Sequence, residues 1–184
     1  MQHAKRITLI TGRPGTGKTT VIMKAAEALK AEGVTVGGMT TQEKRENAAR
    51  VGFQIQDIAT QRQGWLAHVN QPDGPRIGKY QVNMCDLAEI GANAITNAVK
   101  TADTIVIDEI GPMELCSQAF KQAVFEAMDC KKPVVATIHY NATDPLVRQI
   151  KAREDAEIFE VTLENRNNLH NVIIEKVTKM LQEH

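Results

Sequence analysis

The stretch Ile7-Thr-Leu-Ile-Thr-Gly12-Arg-Pro-Gly15-Thr-Gly17-Lys18-Thr19-Thr20 decides how the rest of the chain is read. From Gly12 to Thr19 it fits the phosphate-loop pattern G-x-x-x-x-G-K-[ST] without a mismatch, a pattern that carries weight only between a buried strand and a helix. Both contexts are present. Ile7 to Ile10 is a short β-rich apolar run, as expected of a parallel strand covered on both faces. Beyond the loop, Val21, Ile22, Ala25, Ala28 and Leu29 fall on one helical stripe, and Gly33 supplies a stop.

This arrangement prescribes a chemistry. Gly12, Gly15 and Gly17 let the backbone come close to phosphate oxygens, because no Cβ blocks the approach. The N–H groups of Thr16 to Thr20 are expected in the same nest, at the positive end of a helix. The expected nucleotide-binding set is therefore Gly12, Arg13, Pro14, Gly15, Thr16, Gly17, Lys18, Thr19 and Thr20. Within it, Lys18 reaches the β- and γ-phosphates and the Thr19 hydroxyl is a Mg²⁺ ligand.

Composition narrows the class. At 184 residues, 1–184 is expected to be a single domain with a sizeable core. The formal net charge is zero, so nothing suggests general affinity for nucleic acid or an acidic membrane surface. The apolar run after the basic start Met1 to Arg6 is too short for a signal or membrane segment, and a cytoplasmic monomer is expected. Cys85, Cys116 and Cys130 are widely spaced and match neither a zinc pattern nor a disulfide framework; they read as reduced, semi-buried thiols.

Val34 to Thr41 reads as a second strand, with Gly37 and Gly38 making it irregular or close to another backbone. The polar stretch Gln42 to Arg50 reads as a solvated loop, or alternatively as a loop offering an arginine to the phosphates. Val51, Phe53 and Ile55, then Trp65, Ala67 and Val69, alternate with polar or small residues, predicting a β-hairpin inserted at about 48–70. Asn70 to Lys79 is a loop by composition. Leu87, Ile90, Ala94, Ile95 and Ala98 trace a helical face between Asp86 and Lys100.

The second informative place is Thr104 to Ile107, an apolar strand that ends in Asp108-Glu109. After a phosphate loop, this is the Walker B pattern. Asp108 is the expected Mg²⁺ partner opposite Thr19, and Glu109 the carboxylate that orients or deprotonates water. Glu114 is either a neighbouring acid or a charge at a helix start. Further on, Ser117 to Met128 and a segment opened by Asp144-Pro145 read as helices, and Pro133 to Ile138 and Ile158 to Val161 as strands. His139 is either a γ-phosphate sensor or a partly buried surface histidine, and Asn165 is expected to cap a final helix. The alternation predicts an α/β three-layer P-loop sandwich, with a RecA-like, mostly parallel sheet and the ligand at the strands' carboxyl ends.

Taken together, Gly12 to Thr20, Arg50-Val-Gly-Phe53, Gly78-Lys-Tyr-Gln-Val82, Asp108-Glu-Ile-Gly-Pro-Met-Glu-Leu115 and Thr162-Leu-Glu-Asn-Arg166 give the chain a family likeness. It resembles the THEP-type nucleoside triphosphatases, which include the human cancer-related NTPase, nearly end to end. The resemblance implies slow, Mg²⁺-dependent hydrolysis of ATP, GTP and other NTPs, with Lys18 and Glu109 catalytic and Thr19 and Asp108 on the metal. The polar segment Gln42 to Ala49 departs from the family's shorter arginine-containing turn, leaving Arg45, Arg50, Arg76 and Arg148 as arginine candidates. The competing readings are a nucleotide or small-molecule kinase, and a nucleotide-gated binding module.

Overall fold

Nine strands form one sheet, ordered β5-β6-β4-β3-β2-β7-β8-β1-β9, in a computed structural model that describes residues 5–183. The parallel half comprises β2 (Val36–Glu46), β7 (Thr104–Ile110), β8 (Val134–Ile138), β1 (Ile7–Thr11) and β9 (Ala156–Glu160). Of these, β1, β7 and β8 are buried on both faces because both are covered. One face, with Ile10, Val106 and Val135, packs against α1 (Lys18–Ala31) and α6 (Leu169–Gln182). The other, with Ile7, Leu9, Ile105 and Ile107, packs against α3 (Asn93–Thr101) and α4 (Gln118–Asp129). The result is the three-layer P-loop sandwich expected.

The antiparallel half is larger than a hairpin at 48–70. β2 runs on to Glu46 and pairs with β3 (Ala49–Asp57) around a two-residue turn. Asn47 and Ala48 there both have positive φ, 48° and 64°, as such turns demand. Gln42 to Glu46 is thus strand, not loop: its backbone is paired although its side chains are polar. β4 (Gln63–His68) continues the meander. The composition-based loop at 70–79 holds β5 (Arg76–Ile77), which pairs with β6 (Tyr80–Val82).

Elsewhere the differences are local. The first helical stripe buries Ala26 where Ala28 was expected, and Gly33, at φ 88°, ends the helix. A side chain on Gly37 would strike Ala98 at 2.7 Å, and one on Gly38 the Val106 carbonyl at 1.9 Å, so α3 and β7 close on β2 there. The helix expected at 86–100 opens with α2 (Met84–Asp86), passes through a π-helical segment at Leu87–Ala92 and finishes as α3. Ser117 caps α4, its hydroxyl accepting from the Phe120 N–H at 3.2 Å, and Asp144 caps α5 (Pro145–Lys151). Asn165 does not cap α6, which starts only at Leu169; its side chain instead closes the preceding turn, accepting from the Thr162 N–H and donating to the Glu160 carbonyl. The three cysteines are free thiols, with Cys85 exposed rather than semi-buried. Among the described residues, no helix is long and apolar enough to cross a membrane.

Candidate active site

The phosphate loop links the end of β1 to the start of α1, at the carboxyl edge of the sheet. Gly12, Gly15 and Gly17 have φ of 151°, 79° and 99°, a path that side chains would strain. A Cβ on Gly12 would also come within 2.8 Å of the Val161 carbonyl, so the loop leans on the turn after β9. The Thr16 N–H does not join the nest as expected: it donates to the Arg13 carbonyl at 3.2 Å within the loop. Lys18 folds back over the loop, its Nζ donating to the Gly12 carbonyl at 3.1 Å.

Across from it, β7 delivers Asp108 and Glu109, joined by a cis peptide. Asp108 is 1% exposed. Thr137 at the tip of β8 donates to Asp108 Oδ1 at 2.6 Å, Thr40 on β2 donates to Oδ2 at 3.4 Å, and the Thr19 hydroxyl also bonds it. Burial pushes the Asp108 carboxyl above its ordinary range, opposed by those hydroxyls and by Lys18. A buried carboxylate beside a threonine hydroxyl is a hard-oxygen pair that suits Mg²⁺. Among the described residues, no group of three or more His, Cys, Asp or Glu side chains is placed to hold a metal ion. Glu109 Oε2 lies 4.0 Å from Lys18 Nζ. Burial and Asp108 raise its pKa while Lys18 lowers it, burial being the largest influence.

Glu114 opens a short 3₁₀ turn after Gly111-Pro112, and it is a neighbour of Glu109 rather than an exposed helix-start charge. A Cβ on Gly111 would meet Glu109 Oε1 at 2.8 Å and Glu114 Oε2 at 3.1 Å, so both carboxyl groups crowd one point. Glu114 is 4% exposed. Its pKa is pushed up to about 8 by burial and then by the Glu109 charge, against the N–H groups of Glu114 itself and Gly111. His139 joins them on the same cavity; burial and then Lys18 hold its pKa below the ordinary value.

The cavity has a volume of about 550 Å³ and runs from Pro14, Lys18 and Thr19 past Glu109 to the antiparallel strands. Of the four candidate arginines only Arg50 lines it. Its guanidinium is engaged, by Glu43 at 2.7 Å and by the Tyr80 hydroxyl at 2.9 Å. Arg45 pairs with Glu43 in solvent, and Arg76 donates to the Gly78 carbonyl. Trp65 packs edge-on against His68, and neither residue lines the cavity. Thr40 and the far wall of Phe53, Leu66, Ile77 and Met113 escaped the sequence reading. Only the pairing of β2 with β7, Met39 opposite Ile107, brings Thr40 to Asp108.

Comparison with known proteins agrees with this geometry. The family model described as NTPase matches residues 7–174. Nucleoside-triphosphatase THEP1 of Thermofilum pendens is 47% identical over 174 residues, 94% of this chain and 96% of that one. Its counterpart from Methanosarcina acetivorans is 45% identical over 173 residues, 94% and 97% of the two chains. Among solved structures, THEP1 of Aquifex aeolicus superposes with a TM-score of 0.82 at 31% identity, covering 93% of this chain and 98% of its own. The human cancer-related nucleoside triphosphatase gives 0.80 at 36% identity, covering 95% and 98%.

Proposed function

The chain belongs to the THEP1 nucleoside-triphosphatase family and is an NTP hydrolase, and from that premise we propose that it converts several NTPs, ATP and GTP among them, slowly and with Mg²⁺ to NDP and phosphate. The observation that carries this reading is the meeting of Lys18 and Glu109, 4.0 Å apart, beside an Asp108 bonded by the Thr19 hydroxyl.

In this mechanism the loop amides from Gly17 onward and Lys18 hold the β- and γ-phosphates and offset the charge that gathers on the leaving oxygen. Thr19 and Asp108 hold Mg²⁺, which when bound neutralises phosphate oxygens further. Thr137 and Thr40 fix the Asp108 carboxylate by donating to it. Glu109 aligns a water with the γ-phosphorus and takes its proton, kept close to the phosphate by its attraction to Lys18. The state of Arg50 supports slow turnover: an arginine on the transferred phosphate contributes ~10³–10⁵ in rate, and Arg50 is already bonded to Glu43 and Tyr80. The lack of an Asn-Lys-x-Asp guanine motif supports breadth of base, and the free thiols support work in a reducing compartment.

Phosphate release from each γ-labelled NTP, compared with the Glu109→Gln variant, tests the proposal. Release from several NTPs that the variant loses while retaining nucleotide is the expected outcome. Equal release by the variant would remove Glu109 from the mechanism.

A further inference from the structure

Hydrolysis requires one water beside Glu109, and a water's share of the liquid is about 30 Å³. The cavity that runs from the phosphate loop past Glu109 measures about 550 Å³ in all, within the range of ~300–1,000 Å³ typical of small-ligand pockets, and a γ-phosphate with that water, a few water volumes together, fills only part of it. Its far wall is contributed by β3, β4 and β5 and by the turn after β7, through Phe53, Leu66, Ile77 and Met113. These apolar side chains have nothing to offer a phosphate. In the phosphate orientation given above for hydrolysis they lie beyond the γ-phosphate, away from the nucleoside. Lys18 and Glu109 mark the γ-phosphate end, and no residue of β9 or of the turn after it, on the other side of β1, lines the cavity.

We infer that this cavity seats a second substrate, an uncharged aromatic alcohol of about nucleoside size, and that the protein transfers the γ-phosphate of an NTP to its hydroxyl. The inference rests on the phosphate orientation given above for hydrolysis. Size and apolar lining call for an organic body, and Phe53 and Met113 suit an aromatic one. Charge selects against anions. The cation of the far wall, Arg50, is matched by Glu43 at 2.7 Å and capped by Tyr80, and Glu43 also binds Arg45 at 2.6 Å. A nucleoside monophosphate or a carboxylate would enter without a free partner charge and would have to break that network. A neutral alcohol leaves it intact. In the reaction the acceptor oxygen bonds to the γ-phosphorus as the bond to the β,γ-bridging oxygen breaks. The electron pair leaves on the NDP, and the hydroxyl proton passes to Glu109 and then to solvent.

The test supplies γ-labelled ATP, Mg²⁺ and, separately, adenosine, guanosine, cytidine and uridine, with the four 5′-monophosphates as anionic controls, and resolves labelled products by chromatography. Label on at least one nucleoside and on no monophosphate is expected. Ile77→Trp narrows the cavity from a half-buried position on the short outer strand β5. It should lower transfer about tenfold or more, with phosphate release within about twofold of wild type, the size of effect a pocket-wall change gives. Free phosphate as the sole labelled product would overturn the inference and leave the hydrolase reading standing. Transfer to the monophosphates would overturn the charge argument. Nucleosides that compete with ATP without becoming labelled would make the cavity the base's own pocket and likewise defeat it. Neither release nor transfer would bring down both readings.

Discussion

Replacing Glu114 by glutamine should make the protein more stable, increasingly so as the pH rises. The side chain is buried, and its carboxyl is pushed up to about 8 from an ordinary 4.5, first by burial and then by Glu109. A carboxyl raised on folding keeps its proton while the unfolded chain gives its own up. Between about pH 4.5 and 8 the folded state therefore binds more protons, and wild-type stability falls through that window. At about 1.4 kcal/mol per pH unit, the cost at pH 7 is about 3 kcal/mol, and at pH 5 under about 1 kcal/mol. Glutamine has the shape of the protonated acid, and its carbonyl can still accept from the Gly111 and residue-114 N–H groups, but it does not titrate. At ~2–4 °C per kcal/mol for a chain of this size, the variant should melt roughly 6–12 °C higher at pH 7 and close to wild type at pH 5. Thermal unfolding of both proteins from pH 5 to 8.5, without nucleotide or divalent cation, measures the difference. A gap that stays constant with pH, or a variant less stable at pH 8, would refute the account of a neutral acid held beside Glu109.

Other perturbations have clear expected outcomes. Ala48→Gly relieves a β-carbon held at φ 64° and should raise stability by about 0.5–1 kcal/mol in denaturant titration; a loss would mean that Ala48 makes contacts worth more than its strain. Phe120→Ala empties a fully buried site under α4 and should cost about 3–5 kcal/mol by the same measurement. Chelating divalent cations with EDTA should reduce phosphate release to background, and release that persists would contradict the roles given to Thr19 and Asp108.

Much of the fold was legible because its signals are local. The loop glycines, the apolar strands and the helical stripes each announce themselves within a dozen residues. Where reading failed, the deciding force lay elsewhere in the chain. Gln42 to Glu46 carries no apolar alternation because the strand's side chains there are mostly in solvent; its backbone pairing with β3 makes it a strand, and composition is blind to that. The π-helical turn at Leu87–Ala92 keeps Leu87, Ile90 and Ile95 buried, so an ordinary helical pattern hides it. Of the candidate site, Lys18, Thr19, Asp108 and Glu109 could be picked from sequence and lie together in space. Thr40 required a register, Arg50 stood undistinguished among four candidate arginines, and the cavity wall of Phe53, Leu66 and Ile77 comes from a strand residue, one on the unread face of its strand and one in a stretch that read as loop.

The place of β1 in the sheet sets a schedule for synthesis. Ile7 pairs with Val134 on one side and Ala156 on the other, while Gly12 rests against the Val161 carbonyl. The outer meander is local by contrast, with Arg45 opposite Arg50 and Ile55 opposite Gly64. Local pairings close quickly and distant ones wait for their partners. As the chain leaves the ribosome, the outer strands can assemble while the phosphate loop, although made earlier, has no neighbours to hold its shape. Only when β9 and Val161 emerge can the loop take up its final form. Nucleotide capture should therefore come late in synthesis, and it would distinguish a chain that has passed Val161 from one released before it.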